Sequence, residues 1–232
     1  MTLVAPVIND VPALSRAART ATHHHEVGNT VMHSALRRDF ARASRMLAGK
    51  PDAKHRRALA AHLQWMLQVL HHHHTVEDEA IWPAVLRRRP ELVSLVDELE
   101  AEHGDLDSAS RNLRDAALTW SYDGSDRRRA ELAEALARLV EVLEVHLEHE
   151  ENEAMPVVCS VLTDADWKPI DKKIAEGNPT MRDQARTAYW ALDGLDARRE
   201  KIMLSQIPTP AIWLLRAMYF GKERQRAEAL WT

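Results

Sequence analysis

Four long segments of the chain place apolar residues at alternating steps of three and four positions. The second segment shows this most clearly, with Leu59, Leu63, Met66 and Leu70 in that spacing. Such steps bring side chains onto one face of an α-helix, the face that a bundle helix turns toward its core. The pattern therefore predicts four amphipathic helices. They cover about residues 22–48, 52–82, 91–120 and 126–155.

Breaks in this pattern coincide with residues that end helices. Gly49-Lys50-Pro51-Asp52, Arg89-Pro90 and Asp123-Gly124-Ser125 separate the four segments. The alternation of apolar and polar residues that is typical of strands is scarce. Because short connections between long helices favour antiparallel neighbours, the chain is predicted to be all-α, with an up-down-up-down four-helix bundle.

Each of the four apolar series contains a histidine. The second series continues from leucine into His73 and Glu77, and the fourth continues from leucine into His146 and Glu150. The histidines of the first and third series are His33 and His103. The pattern thus predicts that four imidazoles and at least two carboxylates face the core of the bundle.

Two stretches of the chain repeat each other. HHTVEDEAIWPAV, which begins at His73, aligns without a gap on HLEHEENEAMPVV, which begins at His146. The alignment pairs His73 with His146, Glu77 with Glu150, Asp78 with Glu151 and Pro83 with Pro156. Such a repeat indicates two related helical hairpins, each with one further histidine and one His-x-x-x-Glu pair.

Histidines and glutamates in an apolar core need a partner. Each unpaired group carries a penalty on the order of several kcal/mol, which a metal centre removes. Residues four apart on a helix share one face, so His-x-x-x-Glu offers a nitrogen and an oxygen to one ion or to two adjacent ions. Imidazole and carboxylate without thiolate suit iron or manganese. The number of donors exceeds the about four ligands of a closed single site, which favours two metals.

The run of four histidines at positions 71 to 74 has one member in the apolar series, His73. His74 is the alternative, because it pairs with Asp78 at the spacing of one helical turn. His71 and His72 are predicted to face outward. A second run, at positions 23 to 25, is predicted to be a polar cap or surface cluster, with the alternative that one member lines an entrance to the metals.

The ordered set of histidines and His-x-x-x-Glu pairs resembles the hemerythrin-like, or HHE cation-binding, family over about residues 22–160. The resemblance implies a bundle that holds an oxo- or hydroxo-bridged di-iron centre and binds O2, peroxide or nitric oxide. Manganese is the alternative metal. The metal ligands that the resemblance implies are His33, His73, Glu77, His103 and His146, together with Glu150, Glu151 or both.

Two positions bear on how the chain compares with the O2-carrying members. Those members use a carboxylate five residues after the fourth-helix histidine, here Glu151, whereas other relatives use one four residues after it, here Glu150. The O2 carriers also have His-x-x-x-His on the third helix, but His103 is followed at that place by Asp107. A carboxylate there favours the ferric state, whereas a lost ligand leaves an extra vacancy at the metals. We therefore expect a di-iron oxidoreductase acting on peroxide, nitric oxide or O2; the alternative is a non-catalytic iron or oxygen sensor, carrier or store.

The composition of the chain argues against several other classes of protein. The 232 residues carry a formal net charge of −4 with both signs interspersed, so no single-sign field favours nucleic acid. The single cysteine, Cys159, cannot form a disulfide within the chain or a cysteine-based zinc site. The N-terminal residues lack a charged segment followed by an apolar run, and no stretch approaches the about 20 apolar residues of a membrane span. We therefore expect a cytoplasmic protein without membrane association.

The chain divides into three parts: an N-terminal segment (1–21), the metal-binding bundle (22–160) and a C-terminal extension (161–232). The extension contains a predicted helix over about 181–207 and an apolar segment over 211–231. We expect the extension to pack on the bundle or to join copies of the chain into a homo-oligomer. An interfacial amphipathic helix is the weaker alternative.

Overall fold

The computed structural model describes residues 23–205 and 207–232, and within these ranges it contains helices and no strand. The prediction of an all-α fold is therefore confirmed. The predicted N-terminal segment, 1–21, lies outside the described residues. No helix in the described ranges is both long and apolar enough to cross a membrane.

Four long helical rods form the bundle. The first rod is α1 (His24–Ala48), and the third is α4 (Val93–Asp123), which follows a short 3-10 turn at Pro90–Leu92. The second rod comprises α2 (Ala53–Val76), a π-helical turn (Glu77–Ile81) and α3 (Trp82–Arg88). The fourth rod comprises α5 (Asp126–His149), a π-helical turn (Glu150–Ala154) and α6 (Met155–Val161). Helix α4 packs against α2 and α5, and α1 packs against α5.

The predicted apolar series form the bundle core. Leu63, Leu113 and Leu139 have no exposed surface, and Phe40 is 1 % exposed. Burying one such side chain contributes about 1.5–3 kcal/mol relative to leaving it exposed. The core of many such residues gives the bundle its own source of stability, independent of any metal.

Two rods run further than the sequence predicts. The predicted segments ended at about residues 82 and 155, but the rods continue past Pro83 and Pro156 to Arg88 and Val161. A proline inside an α-helix lacks the N–H that bonds four residues back. Here a π-helical turn precedes each proline: the N–H of Trp82 bonds the carbonyl of Glu77, and that of Met155 bonds the carbonyl of Glu150. The wider turn lets each rod continue beyond its proline.

The C-terminal extension is helical throughout most of its described length. Its helices are α7 (Asp164–Glu176), α8 (Met181–Leu192), α9 (Ala197–Ser205), and α10 (Thr209–Leu215), which a π-helical turn (Arg216–Phe220) joins to α11 (Gly221–Trp231). The continuous helix expected over 181–207 is wrong, because α8 ends at Leu192. Gly194 adopts a φ of 73°, a left-handed conformation that ends helices and that glycine adopts without strain.

Asp39 of α1 connects the extension to the bundle. Its Oδ2 accepts hydrogen bonds from Trp190 Nε1 on α8 at 2.9 Å and from His62 Nε2 on α2 at 2.8 Å. Arg38 Nη2 donates to the carbonyl of Trp190 at 2.9 Å. The extension thus covers the outer face of α1 through a buried polar contact.

Candidate metal centre

Seven side chains from all four rods converge inside the bundle. His33 comes from α1, His103 from α4, and His146 from the last turn of α5. The last turn of α2 supplies His73 and His74, and the two π-helical turns begin with Glu77 and Glu150. π-helical turns occur frequently at functional sites, and both π-helical turns of the bundle carry a convergent carboxylate.

The convergent groups form two clusters. One contains His33, His73 and Glu150, and the other contains His74, Glu77, His103 and His146. Within each cluster one nitrogen or oxygen from every residue lies within 4.8 Å of the others. Each cluster therefore has the donor types and the spacing to hold one cation after small side-chain adjustments.

The two carboxylates lie between the clusters. Glu77 Oε1 is 3.3 Å from His73 Nε2, while its Oε2 is 3.6 Å from His103 Nε2. Glu150 Oε2 is 3.1 Å from His33 Nε2 and 3.6 Å from His146 Nε2. Each carboxylate thus reaches histidines of both clusters, as a carboxylate shared by two metals must.

The inward-facing atoms lack hydrogen-bond partners. The buried Nε2 atoms of all five histidines have none among the described residues, and neither do Glu77 Oε2 and both carboxylate oxygens of Glu150. Buried polar atoms are satisfied in the great majority of folded structures. The grouping of so many imidazole nitrogens and carboxylate oxygens without hydrogen-bond partners fits metal ligation, because a metal ion can bind both kinds of atom.

A family model gives an independent comparison. The model of the hemerythrin HHE cation-binding domain matches residues 30–158, more than half of the chain. The chain belongs to the hemerythrin HHE cation-binding domain family. All seven convergent residues lie within the matched range. No curated protein and no solved structure matched the chain.

Carboxylates outside the two clusters orient three of the histidines of the HHE domain. His33 Nδ1 is 2.9 Å from Glu151 Oε1, and His103 Nδ1 is 2.7 Å from Asp78 Oδ1. A ring that donates its Nδ1–H to a carboxylate keeps the lone pair of Nε2 free and directed inward. His146 has the same arrangement, described next.

Glu102 was not predicted from the sequence, yet it lies beside the centre. Its Oε2 is 2.9 Å from His146 Nδ1, and its Oε1 is 2.8 Å from His149 Nδ1. Glu102 lies off the apolar series of α4, and its partners are on α5. No spacing in the sequence connects them, so only the fold reveals this contact.

The internal repeat extends to these outer partners. On each π-helical turn the first carboxylate, Glu77 or Glu150, faces the clusters. The next carboxylate, Asp78 or Glu151, bonds a histidine of another rod. Two adjacent residues of a helix differ in direction by about 100°, so one turn can serve the centre and its surroundings at once.

Glu151 was one of the predicted ligands, but it belongs to neither cluster. Its Oε1 also accepts a hydrogen bond from Arg37 Nη1 at 2.6 Å. Between the two carboxylates that the sequence left open, the geometry brings Glu150 to the clusters and turns Glu151 toward His33 and Arg37. The reason is the direction of the π-helical turn, which the sequence does not specify.

His74 belongs to one of the two clusters, although the sequence indicated it only as the alternative to His73. It is 4 % exposed, and its ring stacks on that of His103 with centroids 4.1 Å apart. His73 and His74 lie on either side of the middle of the core-facing surface of α2. His73 therefore contacts His33 of α1, and His74 contacts His103 of α4. His71 is 70 % exposed, as predicted, whereas His72 is half-buried and its Nε2 lies 3.2 Å from the carbonyl of Ile174.

Asp107 lies outside both clusters. Its side chain is 48 % exposed and is 3.6 Å from His71 Nδ1. His74, from another rod, is the additional imidazole beside His103 in the cluster that contains both. The expectation that Asp107 adds negative charge at the metals is therefore not supported.

Burial sets the protonation of the inward groups. It lowers the pKa of His73 to about 3 and that of His74 well below its ordinary value, and neighbouring imidazoles add to both shifts. Both rings are neutral at neutral pH, with lone pairs available to a cation. Burial, together with the facing Glu150, raises the pKa of Glu77 well above its usual range. A cation between the two carboxylates would offset this repulsion.

Proposed function

We propose that the HHE domain of this chain holds a di-iron centre and that the centre turns over a small oxidant, namely hydrogen peroxide, nitric oxide or O2. The observation that carries the proposal is the pair of clusters with Glu77 and Glu150 between them. Two shared carboxylates support two adjacent cations rather than one. Imidazole and carboxylate donors without thiolate favour iron, with manganese as the alternative.

Three carboxylates that lie outside the clusters favour turnover of the oxidant rather than reversible O2 carriage. When bound, two ferrous ions would supply Lewis acidity and one electron each for reduction of the oxidant, and an external reductant would return these electrons before the next cycle. Asp78, Glu102 and Glu151 each accept from the Nδ1 of one ligand histidine. Such partners raise the basicity of the imidazole, and basic donors favour the ferric state.

The geometry limits the size of the substrate. The side chains of His33 and His146 have no exposed surface, and that of His103 has 6 %, whereas the side chain of His73 retains 15 %. His73 is therefore the ring nearest to the surface on this side, although its Nε2 is buried. The enclosure of the inward-facing atoms favours a substrate of a few atoms over a large organic one.

Arg37 holds Glu151 in place beside His33 of the centre. Its Nη1 donates to Glu151 and its Nε donates to Glu144 Oε2 at 2.8 Å. The guanidinium thereby holds Glu151 against His33 and offsets part of the negative charge of the two carboxylates. These residues position the imidazole and would not touch the oxidant.

The experiment is peroxide and nitric oxide consumption by iron-loaded protein with excess chemical reductant, compared with two alanine variants of the histidine run. We expect His73→Ala to lose turnover and His71→Ala, which removes an exposed ring from the same run, to keep it. Iron content is measured on each sample. Equal turnover in both variants would contradict the proposal.

A further outcome separates the two function classes. Iron-loaded protein that consumes neither peroxide nor nitric oxide would favour the non-catalytic alternative, a sensor, carrier or store of iron or oxygen. Iron binding without turnover thus removes the enzymatic part of the proposal and leaves the metal centre.

A further inference from the structure

A second group of histidines lies at the start of α1, outside the di-metal centre. His23, His24 and His25 each offer a ring nitrogen within 4.8 Å of the others. The ring centroids of His24 and His25 are 4.0 Å apart, and those of His23 and His25 are 5.3 Å apart. The three rings are half-buried rather than exposed, which differs from a solvated surface run.

Backbone geometry explains how three consecutive side chains converge. His24 and His25 are the first residues of α1, and consecutive helical residues point about 100° apart. His23 precedes the helix with φ −69° and ψ 131°, an extended conformation. This change of conformation lets the ring of His23 fold toward the other two.

His25 is held as a metal-binding histidine would be. Its Nε2 is 2.9 Å from Asp171 Oδ1 on α7, while its Nδ1 is buried and has no hydrogen-bond partner. The ring stacks on Trp167 with centroids 3.6 Å apart and an interplanar angle of 8°. A carboxylate on one nitrogen fixes the tautomer that leaves the other nitrogen free for a cation.

His23 supplies a second free nitrogen. Its Nδ1 is buried and has no hydrogen-bond partner among the described residues. Two buried imidazole nitrogens without a hydrogen-bond partner, on rings whose nitrogens come within 4.8 Å of each other, are an independent indication of a ligand, since buried polar atoms are ordinarily satisfied.

We propose that His23, His24 and His25 bind one divalent cation of the borderline class, such as zinc or cobalt, at a second metal site. Three imidazoles without a carboxylate in the set suit these ions better than the hard ions that prefer oxygen. Water would complete the coordination, as it does in zinc sites that have three protein ligands. His25 precedes His33 by eight residues of α1, about 12 Å along the helix, so the site is distinct from the di-metal centre.

The site would join two parts of the fold. Its ligands belong to the start of α1, whereas Asp171 and Trp167 belong to α7, the first helix of the extension. A bound cation holds the three rings in place and strengthens the contact between α1 and α7. Because ligands that bind only the folded state stabilise it, zinc is expected to raise the melting temperature.

The test is zinc titration of the full-length, iron-loaded protein, with zinc and iron counted per chain on the same sample. We expect one additional zinc ion per chain with no iron released. His25→Gln should weaken zinc binding by at least about tenfold, and Asp171→Asn by about 10–100-fold through loss of orientation. His55→Gln, which removes a histidine outside the proposed site, is the matched control and should leave the affinity unchanged.

Two results would overturn the second site. One is zinc uptake matched by iron release, which would mean that zinc enters the di-metal centre. The other is equal zinc affinity in the wild type, His25→Gln and His24→Gln. The His24→Gln variant is included because His25 also stacks on Trp167, and the melting temperature of each zinc-free variant confirms that it is folded. Failure here leaves the di-iron proposal untouched, since that proposal depends on other residues.

Discussion

Single hydrogen bonds decide which nitrogen each ligand histidine presents. His33, His103 and His146 each have Nδ1 within 2.9 Å of a carboxylate oxygen and Nε2 turned to the clusters. Imidazole can coordinate through either nitrogen, so the outer carboxylate selects the geometry as well as the basicity of the donor. This selection is a property of individual residues that sit on different rods.

The first prediction concerns Glu102. We expect Glu102→Gln to weaken iron binding by about 10–100-fold, because the amide no longer accepts as strongly from His146 Nδ1. Glu98→Gln, an exposed carboxylate one turn earlier on α4, is the control. The rate of iron loss to a chelator measures the effect. Identical rates in the two variants would contradict an orienting role.

The second prediction concerns His74. We expect His74→Ala to lower the iron content of the reconstituted protein, because its Nε2 is one of the four donors of the second cluster. His71→Ala is the control, since His71 is exposed. An iron content equal to that of the wild type would mean that His73 alone, of this run, serves the centre.

The sequence predicted much of the centre at this scale. The apolar series pointed to His33, His73, Glu77, His103, His146 and Glu150 because helical spacing fixes which side chains share a face. The sequence indicated His74 only as the alternative to His73, because alternating steps of three and four positions select one residue per helical turn. In the structure, two adjacent residues of α2 both face the core. Contacts between rods, such as Glu102 with His146, have no periodicity and could not be predicted.

At the scale of the helices, the π-helical turns shape the centre and the ends of two rods. Each turn begins at a shared glutamate and precedes a proline. Helical periodicity predicted the rods but ended two of them at about residues 82 and 155, just before Pro83 and Pro156. The extra residue of a π-helical turn leaves no mark in the apolar pattern, so the continuation past each proline was missed.

The third prediction concerns the break between α8 and α9. We expect Gly194→Ala to destabilise the protein by about 1–2 kcal/mol, because its φ of 73° is unfavourable for a residue with a Cβ. Gly221→Ala is the matched control: it has a helical φ of −60° and open space around it. Gly221→Ala should leave the free energy of unfolding unchanged or raise it by up to about 1 kcal/mol.

Urea unfolding of the two glycine variants measures both effects. Equal stability of Gly194→Ala and Gly221→Ala would contradict the assignment of a left-handed helix end at Gly194. The result would then support the continuous helix that the sequence pattern suggested over 181–207.

At the scale of the whole molecule, the bundle and the extension meet through Asp39. Its carboxylate is 2 % exposed and is surrounded by Arg38, Arg42, His62 and Trp190. The fold class followed from local spacing. The contact between α1 and α8 did not, because it joins residues 151 positions apart and depends on the path of the chain between them.

The fourth prediction is a loss of stability at acid pH that depends on Asp39. Burial alone would raise the pKa of Asp39, but the hydrogen bond from His62 and the charge of Arg38 outweigh burial and lower it to about 2, from 3.8. A lowered pKa stabilises the folded state above pH 4. This stabilisation is lost as pH falls from about 4 to 2, and it amounts to about 2 kcal/mol.

Unfolding of metal-free protein at pH 7 and at pH 2.5 tests this prediction. The wild type should lose about 2 kcal/mol more than Asp39→Asn between the two values. Asp97→Asn, an exposed aspartate on α4, is the control and should follow the wild type. Parallel losses in the wild type and in Asp39→Asn would exclude Asp39 as the source.

The central claim is that the two clusters with their shared carboxylates hold two metal ions. The most direct measurement is the iron content per chain of protein reconstituted with ferrous iron and freed of excess, counted together with protein concentration by amino-acid analysis. To keep the three-histidine site from contributing, the measurement uses His25→Gln alongside the wild type. We expect about two iron ions per chain in both proteins, as two adjacent clusters require. One ion per chain, or none, would contradict the di-metal centre.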